Sequence, residues 1–461
     1  MNGIARRARL ARSRLYLILE ARPHGGDPGP LLEGALRGGV DVVQLREKGL
    51  SDGELVRAAE PFRRACAAYG ALFILNDRPD LVERCGADGV HVGQDDVPLA
   101  EARRIVGAER LVGLSATTSQ ELRGDPDYFG VGAIYTTPTK TESVAGGLEL
   151  LRAARDGVRI PWFAIGGVEE SNVEELVAAG AAGIAVVRAL RDADDPEAAA
   201  RRLRAALPPT EPFVSDGEIE FSIPQVDWLE WSLPAGAIGA RPHTHAAHTD
   251  VFSVVDGELE FRVGEETVLV PAASCVAAPP LLVHGFRNPS GRDTRLVNMH
   301  APGVWARGRR RFEPHEFDTF GLDRAQSGAR GVVTGPGDGD RVAKEHRLAL
   351  VKLRSNDLDV LEYHVAPGYS GADEHVHLGH ADCFRILEGA LDFTVAGRNI
   401  RAETGTTVIV PPGIVHGFSG AGPARFLNVH APSFGFAEYL RAVDAGADVD
   451  AARHDMFDPP A

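Results

Sequence analysis

Residues 227–257 and 359–389 match at a constant offset of 132, pairing Asp227 with Asp359, Leu229 with Leu361, Glu230 with Glu362, Gly236 with Gly368 and Gly257 with Gly389. No other feature limits the fold as much, because self-similarity at a fixed period means one structural unit built twice. Both copies consist of short apolar runs broken by proline and glycine, the pattern of an all-β sandwich or barrel. FAEYLRAVDAG (436–446) reads as a short terminal helix whose apolar face packs on the second copy.

Ten of the 16 histidines lie in this repeat. Copy one reads His243-x-His245-x2-His248-x-Asp250-x6-Gly257, then His284, and ends in NMHAP with His300. Copy two reads His375-x-His377-x2-His380-x-Asp382-x6-Gly389, then His416, and ends in NVHAP with His430. On a strand, residues two apart face the same side, so each HxH presents two imidazoles to one point, and a carboxylate and a distant His complete four donors.

These spacings resemble the cupin superfamily. Copy two keeps Gly405, Pro411, Gly413 and His416 of its second motif, with Gly420 in place of Asn; copy one keeps Pro279, His284 and Asn288, with Ala273 and Leu281 in place of glycines. The resemblance implies two double-stranded β-helix domains. It also implies a transition metal held by His243, His245, Asp250 and His284, and by His375, His377, Asp382 and His416. Asp stands where Glu is usual, which leaves room for a water or for His248 and His380 as substitute ligands. The metal's identity stays open, because Fe, Mn, Ni and Zn all accept such sets.

The first half has a different rhythm. Strand-like LYLIL (15–19), VDVVQL (40–45), ALFIL (71–75), GVHV (89–92), LVGLS (111–115), YFGVGAI (128–134), WFAIG (162–166) and GIAVV (183–187) alternate with helical stretches. Eight such pairs in about 200 residues fit a small (β/α)8 TIM barrel, an open doubly wound sheet being the other solution. In a barrel, polar residues at the C-terminal strand ends collect around one pocket. Those ends read QLREK (44–48), ND (76–77), GQDD (93–96), SATT (115–118), TTPTK (136–140) and IGG (165–167). Cations, separated carboxylates, hydroxyls and glycine turns are what a phosphorylated substrate and Mg2+ require. Among 49 Lys and Arg residues only Lys48, Lys140, Lys344 and Lys352 are lysines, and two of these four stand in that set.

In this order the strand ends resemble thiamine-phosphate synthase over residues 15–207. The resemblance implies a transferase of thiamine biosynthesis that joins a pyrimidine diphosphate to a thiazole phosphate and releases pyrophosphate. It implies that Gln44, Arg46, Lys48, Asn76, Ser115 and Lys140 hold the pyrimidine diphosphate, with Lys140 and Ser115 catalytic, and that Asp77 and Asp96 ligate one Mg2+. Thr137, Thr139, Gly167, Val187 and Arg188 would take the thiazole phosphate. Three positions depart from the pattern: Thr117 replaces a common His, Arg188 a small hydroxyl residue, and Glu20 follows the first strand where Asp is frequent. Thr117 counts against the paralogous tautomerase, which uses a His there.

The expected organisation is a barrel over 1–207, a proline-rich linker over 208–217, one cupin over 218–305, a second linker over 306–345, and a second cupin with its helix over 346–461. At 44% hydrophobic and 25% charged the chain is globular, and no apolar run approaches a membrane span. A net charge of −16 argues against nucleic acid as a partner, and RGRRR (307–311) reads as a solvated charge run. Four widely spaced cysteines and no visible secretory signal suggest a reduced, cytoplasmic protein with small-molecule substrates, compatible with a homo-oligomer. Two other readings stand beside the synthase. In one, the cupins are a metal-dependent oxygenase or isomerase and the barrel is a non-catalytic phosphate-ligand binder. In the other, both halves only bind ligands.

Overall fold

In the computed structural model the chain forms two compact units, Met1–Pro208 and Pro209–Pro459. The structure describes residues 1–135, 146–303 and 330–460, together with the backbone of Thr319–Phe320. Thr137, Thr139, Lys140 and the basic run 307–311 lie outside the described residues.

The first unit is a closed parallel barrel of β1 (Leu15–Leu19), β2 (Val42–Leu45), β3 (Leu72–Asn76), β4 (Gly89–Val92), β5 (Leu111–Ala116), β6 (Tyr128–Val131), β7 (Trp162–Ile165) and β8 (Gly183–Val186), with β8 pairing back to β1. Every second residue points inward. Tyr16, Ile18, Val42, Leu72, Ile74, Leu111, Tyr128, Phe163 and Ala185 form the inner core, joined by Leu10 from the helix Gly3–Ala11. The alternate set, including Leu15, Leu17, Val43 and Phe73, packs outward in the larger core that the helices cover. A Cβ on Gly113 would lie 2.2 Å from the Tyr128 ring, so this glycine makes room for the largest inward side chain of its layer. The helix Gly3–Ala11 is tied to the N-terminal ends of strands by Arg6–Asp88 at 2.9 Å and Arg7–Asp127 at 2.7 Å. The opposite, C-terminal end is left for the site.

The second unit contains two copies of a two-sheet β domain. In copy one a six-stranded sheet (Ile219–Ser222, Asp227–Leu233, Thr294–Ala301, Thr249–Asp256, Cys275–Ala278, Val332–Thr334) packs on a five-stranded one that includes Ile238–His245 and His284–Arg287. In copy two the sheets have seven and four strands. Each large sheet is buried on both faces. Phe252 and Val254 point into copy one, whereas Val251, Val297 and Met299 meet Val360, Cys383 and Val429 of copy two. This explains why Cys275–Ala278 (CVAA) and Thr407–Val410 (TVIV) read as short apolar runs instead of alternating ones.

The segments expected to be linkers carry strands. Phe213–Ser215 pairs with Thr407–Val410 of copy two, and Val332–Thr334 pairs with Cys275–Ala278 of copy one. The copies therefore exchange their leading strands, with Asp340–Lys344 also entering the copy-two sheet. The helix Phe436–Asp444 packs Phe436, Ala437 and Leu440 on the copy-two core.

One repeat difference costs backbone energy. Gly405 (φ 98°) and Gly413 (φ 81°) of copy two are replaced by Ala273 (φ 65°) and Leu281 (φ 64°), which keep the left-handed conformation. Each costs roughly 1–2 kcal/mol in a residue with a side chain. The Leu281 position is held because its N–H donates to the His245 carbonyl at 2.6 Å, as Gly413 does to His377.

Candidate active site and metal centres

The barrel's C-terminal mouth holds a cavity of about 490 Å³, lined by Arg46, Lys48, Ser115, Gly167, Val187 and Arg188 among others. Gln44, Asn76 and Ser115 continue the inward parity of Val42, Ile74 and Gly113 and so reach this end of the barrel. Asp77 follows β3 in the left-handed region (φ 61°), its N–H bonded to the His91 carbonyl at 2.9 Å. Burial and the adjacent Asp96 carboxylate push the Asp77 carboxyl above its usual range, opposed by Lys48 and Arg46. Lys48 Nζ stands 3.7 Å from Asp77. Two crowded carboxylates beside cations form a donor set suited to a hard divalent ion.

Across the cavity, Gly166 and Gly167 turn after β7 with φ of 100° and 71°. A Cβ on Gly167 would meet Tyr135 at 2.8 Å, so the turn needs glycine on both counts. Arg188 lies 3.8 Å from Glu169, and Glu20 pairs with Arg191 at 3.4 Å. Thr117 is absorbed locally: its N–H and hydroxyl donate to Glu121 at 2.6 and 2.9 Å.

Sequence reasoning missed a polar chain inside the barrel. Gln44 Nε2 donates to Tyr16 OH (2.8 Å), Tyr16 OH meets Tyr128 OH (3.0 Å), Tyr128 OH meets His91 Nδ1 (3.3 Å), and His91 Nε2 meets Ser115 Oγ (2.9 Å). Burial pushes both tyrosine hydroxyls well above their usual range, so they act as neutral hydrogen-bond partners. His91 was legible only as the inward neighbour of Gly89 on β4, and the tyrosines read as ordinary core aromatics.

Each copy of the second unit gathers the four expected donors. In copy one His243, His245, Asp250 and His284 bring their ligand atoms within 4.8 Å of one another; in copy two His375, His377, Asp382 and His416 do the same. The hydrogen bonds fix the tautomers. His243 and His284 turn Nδ1 to the carbonyls of Arg241 and Leu282 (2.7 and 3.0 Å), and His375 and His416 turn theirs to Asp373 and Ile414 (2.7 and 3.0 Å). A carbonyl can only accept, so those nitrogens carry the protons and every Nε2 lone pair faces inward. Two such lone pairs, on His375 and His377, stand 3.2 Å apart with Asp382 Oδ2 3.3 Å from His416. Burial and His416 push His375 down to about 4, and burial and His284 do the same to His243. His375 and His243 are thus neutral at physiological pH, as ligation requires.

The surrounding residues include several that the motifs did not mark. Asn298 and Asn428 donate to Oδ1 of Asp250 and Asp382, leaving Oδ2 for the centre. His248 and His380 stack on His245 and His377, with ring centroids 4.0 and 3.7 Å apart. His377, His380 and His430 form a further close group. The copies diverge behind it. His300 meets Asp227 at 3.2 Å, whereas the equivalent Asp359 accepts the Ala437 N–H at 2.9 Å, and His430 meets His380 at 3.1 Å.

Comparison with known proteins agrees with both halves. A thiamine monophosphate synthase family model matches residues 15–190, and a cupin domain model matches 229–300 and 361–430. A thiamine-phosphate synthase of Arthrobacter sp. (strain FB24) is 43% identical over 228 residues, spanning 43% of this chain and 96% of that protein. One from Mycobacterium tuberculosis (strain ATCC 25177 / H37Ra) is 45% identical over 216 residues, spanning 43% of this chain and 97% of its own. Among solved structures, a thiamine phosphate pyrophosphorylase from Pyrococcus furiosus is 31% identical, covering 42% of this chain and 96% of that one with a TM-score of 0.40.

Proposed function

The chain belongs to the thiamine-phosphate synthase family through its first unit and carries two cupin domains in its second, and on that premise we propose how the barrel works. The barrel is a transferase that condenses a pyrimidine methyl diphosphate with a thiazole phosphate, forming thiamine phosphate and pyrophosphate. The methylene C–O bond breaks, pyrophosphate leaves, and the thiazole nitrogen forms the new C–N bond to the resonance-stabilised pyrimidine cation. Arg46, Lys48 and Lys140 neutralise the charge that develops on the leaving group. Asn76 and Gln44 orient the pyrimidine, and Ser115, held by His91, contacts the diphosphate. Asp77 and Asp96 would hold Mg2+, which supplies further charge neutralisation when bound. Thr137, Thr139, the Gly167 turn, Val187 and Arg188 take the acceptor phosphate on the opposite wall. No protein nucleophile is needed, so positioning and electrostatics carry the rate.

The observation that supports this most is the convergence of Lys48, Asp77, Ser115, Gly167 and Arg188 on one end of the barrel, each from a different strand end. The second unit, with cupin domains over about 218–305 and 346–461, would bind a transition metal in each copy. The inward Nε2 lone pairs support that reading, and a metal there offers a coordination position to a small ligand. None of the helices among the described residues is long and apolar enough to cross a membrane. All four cysteines are buried free thiols, which fits the reducing cytoplasm.

The test is product formation by the full chain from both substrates with Mg2+. Wild type forms thiamine phosphate; Lys140→Ala and Asp77→Asn lose about 100-fold or more in kcat/KM, as the loss of preorganised charge stabilisation implies. Arg188→Ser raises KM for the thiazole phosphate with little change in kcat. Folded wild-type protein that yields no product overturns the reading.

A further inference from the structure

We propose that the C-terminal segment Asp455–Phe457 is a clamp that assembles the second metal centre, with Asp455 a positioning residue for His377. The inference rests on the reading of His375, His377, Asp382 and His416 as a metal site.

The segment lies after the terminal helix, outside the repeat, and returns to the strand that carries the HxH pair. Phe457 and Val376 exchange backbone hydrogen bonds of 2.9 and 3.1 Å. Asp455, buried and left-handed at φ 56°, turns both its carbonyl and its carboxylate to the same loop. Its carbonyl accepts His377 Nδ1–H at 2.8 Å. Its carboxylate accepts the N–H groups of Leu378 (2.9 Å), Gly379 (2.7 Å) and His380 (2.9 Å), and His380 Nδ1 at 2.9 Å.

The consequences follow from counting donors. A neutral imidazole has one N–H, so fixing it at Nδ1 of His377 commits Nε2 to the lone pair that meets His375 and Asp382. The partners that do this for His375 and His416, Asp373 and Ile414, are each two residues from their histidine. His377 is the copy-two ligand whose partner comes from 78 residues away. The carboxylate then closes the 378–380 loop with four donors and draws His380 toward Asp455. Gly379 permits the approach, since a Cβ there would sit 3.4 Å from Asp455 Oδ2 and 2.7 Å from Phe434.

The device recurs. The sequence Asp-x-Phe stands at both 318–320 and 455–457, and the backbone of Thr319–Phe320 pairs with Thr244 and His245 as Phe457 pairs with Val376. With the offset of 132, Thr244 and Val376 are equivalent positions. Each HxH strand is therefore joined by a segment that follows its own copy.

The experiment titrates Co2+ into full-length protein carrying His245→Ala, so that the remaining site reports copy two. Affinity is read from the visible Co2+ bands and stoichiometry from metal analysis of the folded protein. Adding Asp455→Asn weakens Co2+ about tenfold to a hundredfold, the usual cost of losing such an outer partner. The same change in a His377→Ala background leaves copy one unaltered. Equal affinity with and without Asp455→Asn overturns the clamp while leaving the metal site standing; no Co2+ bound by His245→Ala alone overturns both. A measurement on unmutated protein covers the case in which the variant fails to fold. If metal and clamp are linked, Co2+ slows amide exchange at Leu378, Gly379 and His380, and unchanged exchange at these three also overturns the proposal.

Discussion

Asn428 donates its side-chain N–H to Oδ1 of Asp382, so that the other carboxylate oxygen faces the imidazoles of His377 and His416. Asn298 does the same for Asp250 in copy one. An aspartate is one carbon shorter than the glutamate usual here, and a short side chain must be aimed by something else. Replacing Asn428 by Ala frees Asp382 to rotate and leaves a buried oxygen unpaired. Co2+ affinity of copy two should fall about tenfold or more. Apo stability should fall by roughly 1–3 kcal/mol. Titration and urea unfolding read the two effects separately, and unchanged Co2+ affinity would count against the aiming role.

Much of this architecture was legible because period and parity are local. The six strand-end motifs named the barrel mouth, and Gln44, Asn76 and Ser115 share the inward parity of their strands. The two HxH repeats named eight donors that the structure gathers into two groups. What escaped depended on distant partners. Asn428 is one more polar residue on a strand until Asp382, 46 residues away, is placed against it. Asp455 lay in a tail with no motif. The strand exchange was hidden because Phe213–Ser215 and Val332–Thr334 sit among prolines and glycines, and only the partner sheet makes them strands. Thr137, Thr139 and Lys140, central to the sequence argument, lie outside the described residues.

Tyr128 tests the polar chain of the barrel. Its hydroxyl stands between Tyr16 OH and His91, and Phe at this position keeps the ring that Gly113 accommodates. Buried Tyr16 and half-buried His91 each lose a hydrogen bond, at about 1 kcal/mol apiece. His91 also loses the anchor that sets it against Ser115. Tyr128→Phe should lower kcat/KM by about tenfold, the kinetic equivalent of ~1.4 kcal/mol. A variant with wild-type kinetics and a lower melting temperature would make the chain purely structural.

Asp359 gives a pH signature to the second unit. Burial pushes its carboxyl up to about 6, partly offset by the Ala437 N–H it accepts. A carboxyl raised on folding holds its proton in the native state after the unfolded chain has released it. Stability is therefore unaffected by this group below about pH 4 and is lost as pH rises from there through 6. Asp359→Asn mimics the protonated form. It should match wild type at pH 4 and exceed it at pH 8 by roughly 2 kcal/mol. Chemical unfolding at the two pH values decides, and a difference of the same size at both would refute the assignment.

Lys352 shows why one of the few lysines has not become arginine. It is buried between the copies, its ammonium 3.5 Å from Glu362 and donating to the carbonyls of Ala273 at 3.1 Å and Gly335 at 2.8 Å. Three acceptors around one nitrogen suit a compact ammonium; a planar guanidinium needs more room and a different fork. Glu362 has further partners in Arg425 at 3.3 Å and His364 at 3.0 Å, which cushion its loss. Lys352→Met should still destabilise the second unit by about 2–4 kcal/mol, because a buried carboxylate loses its nearest buried cation. Lys352→Arg should not restore it, for the guanidinium cannot meet both carbonyls from the same point. Calorimetry would show the effect as a lower melting temperature for the second unit with the barrel transition unmoved. Full recovery by arginine would mean that charge alone, and not the shape of the ammonium, is what this site selects.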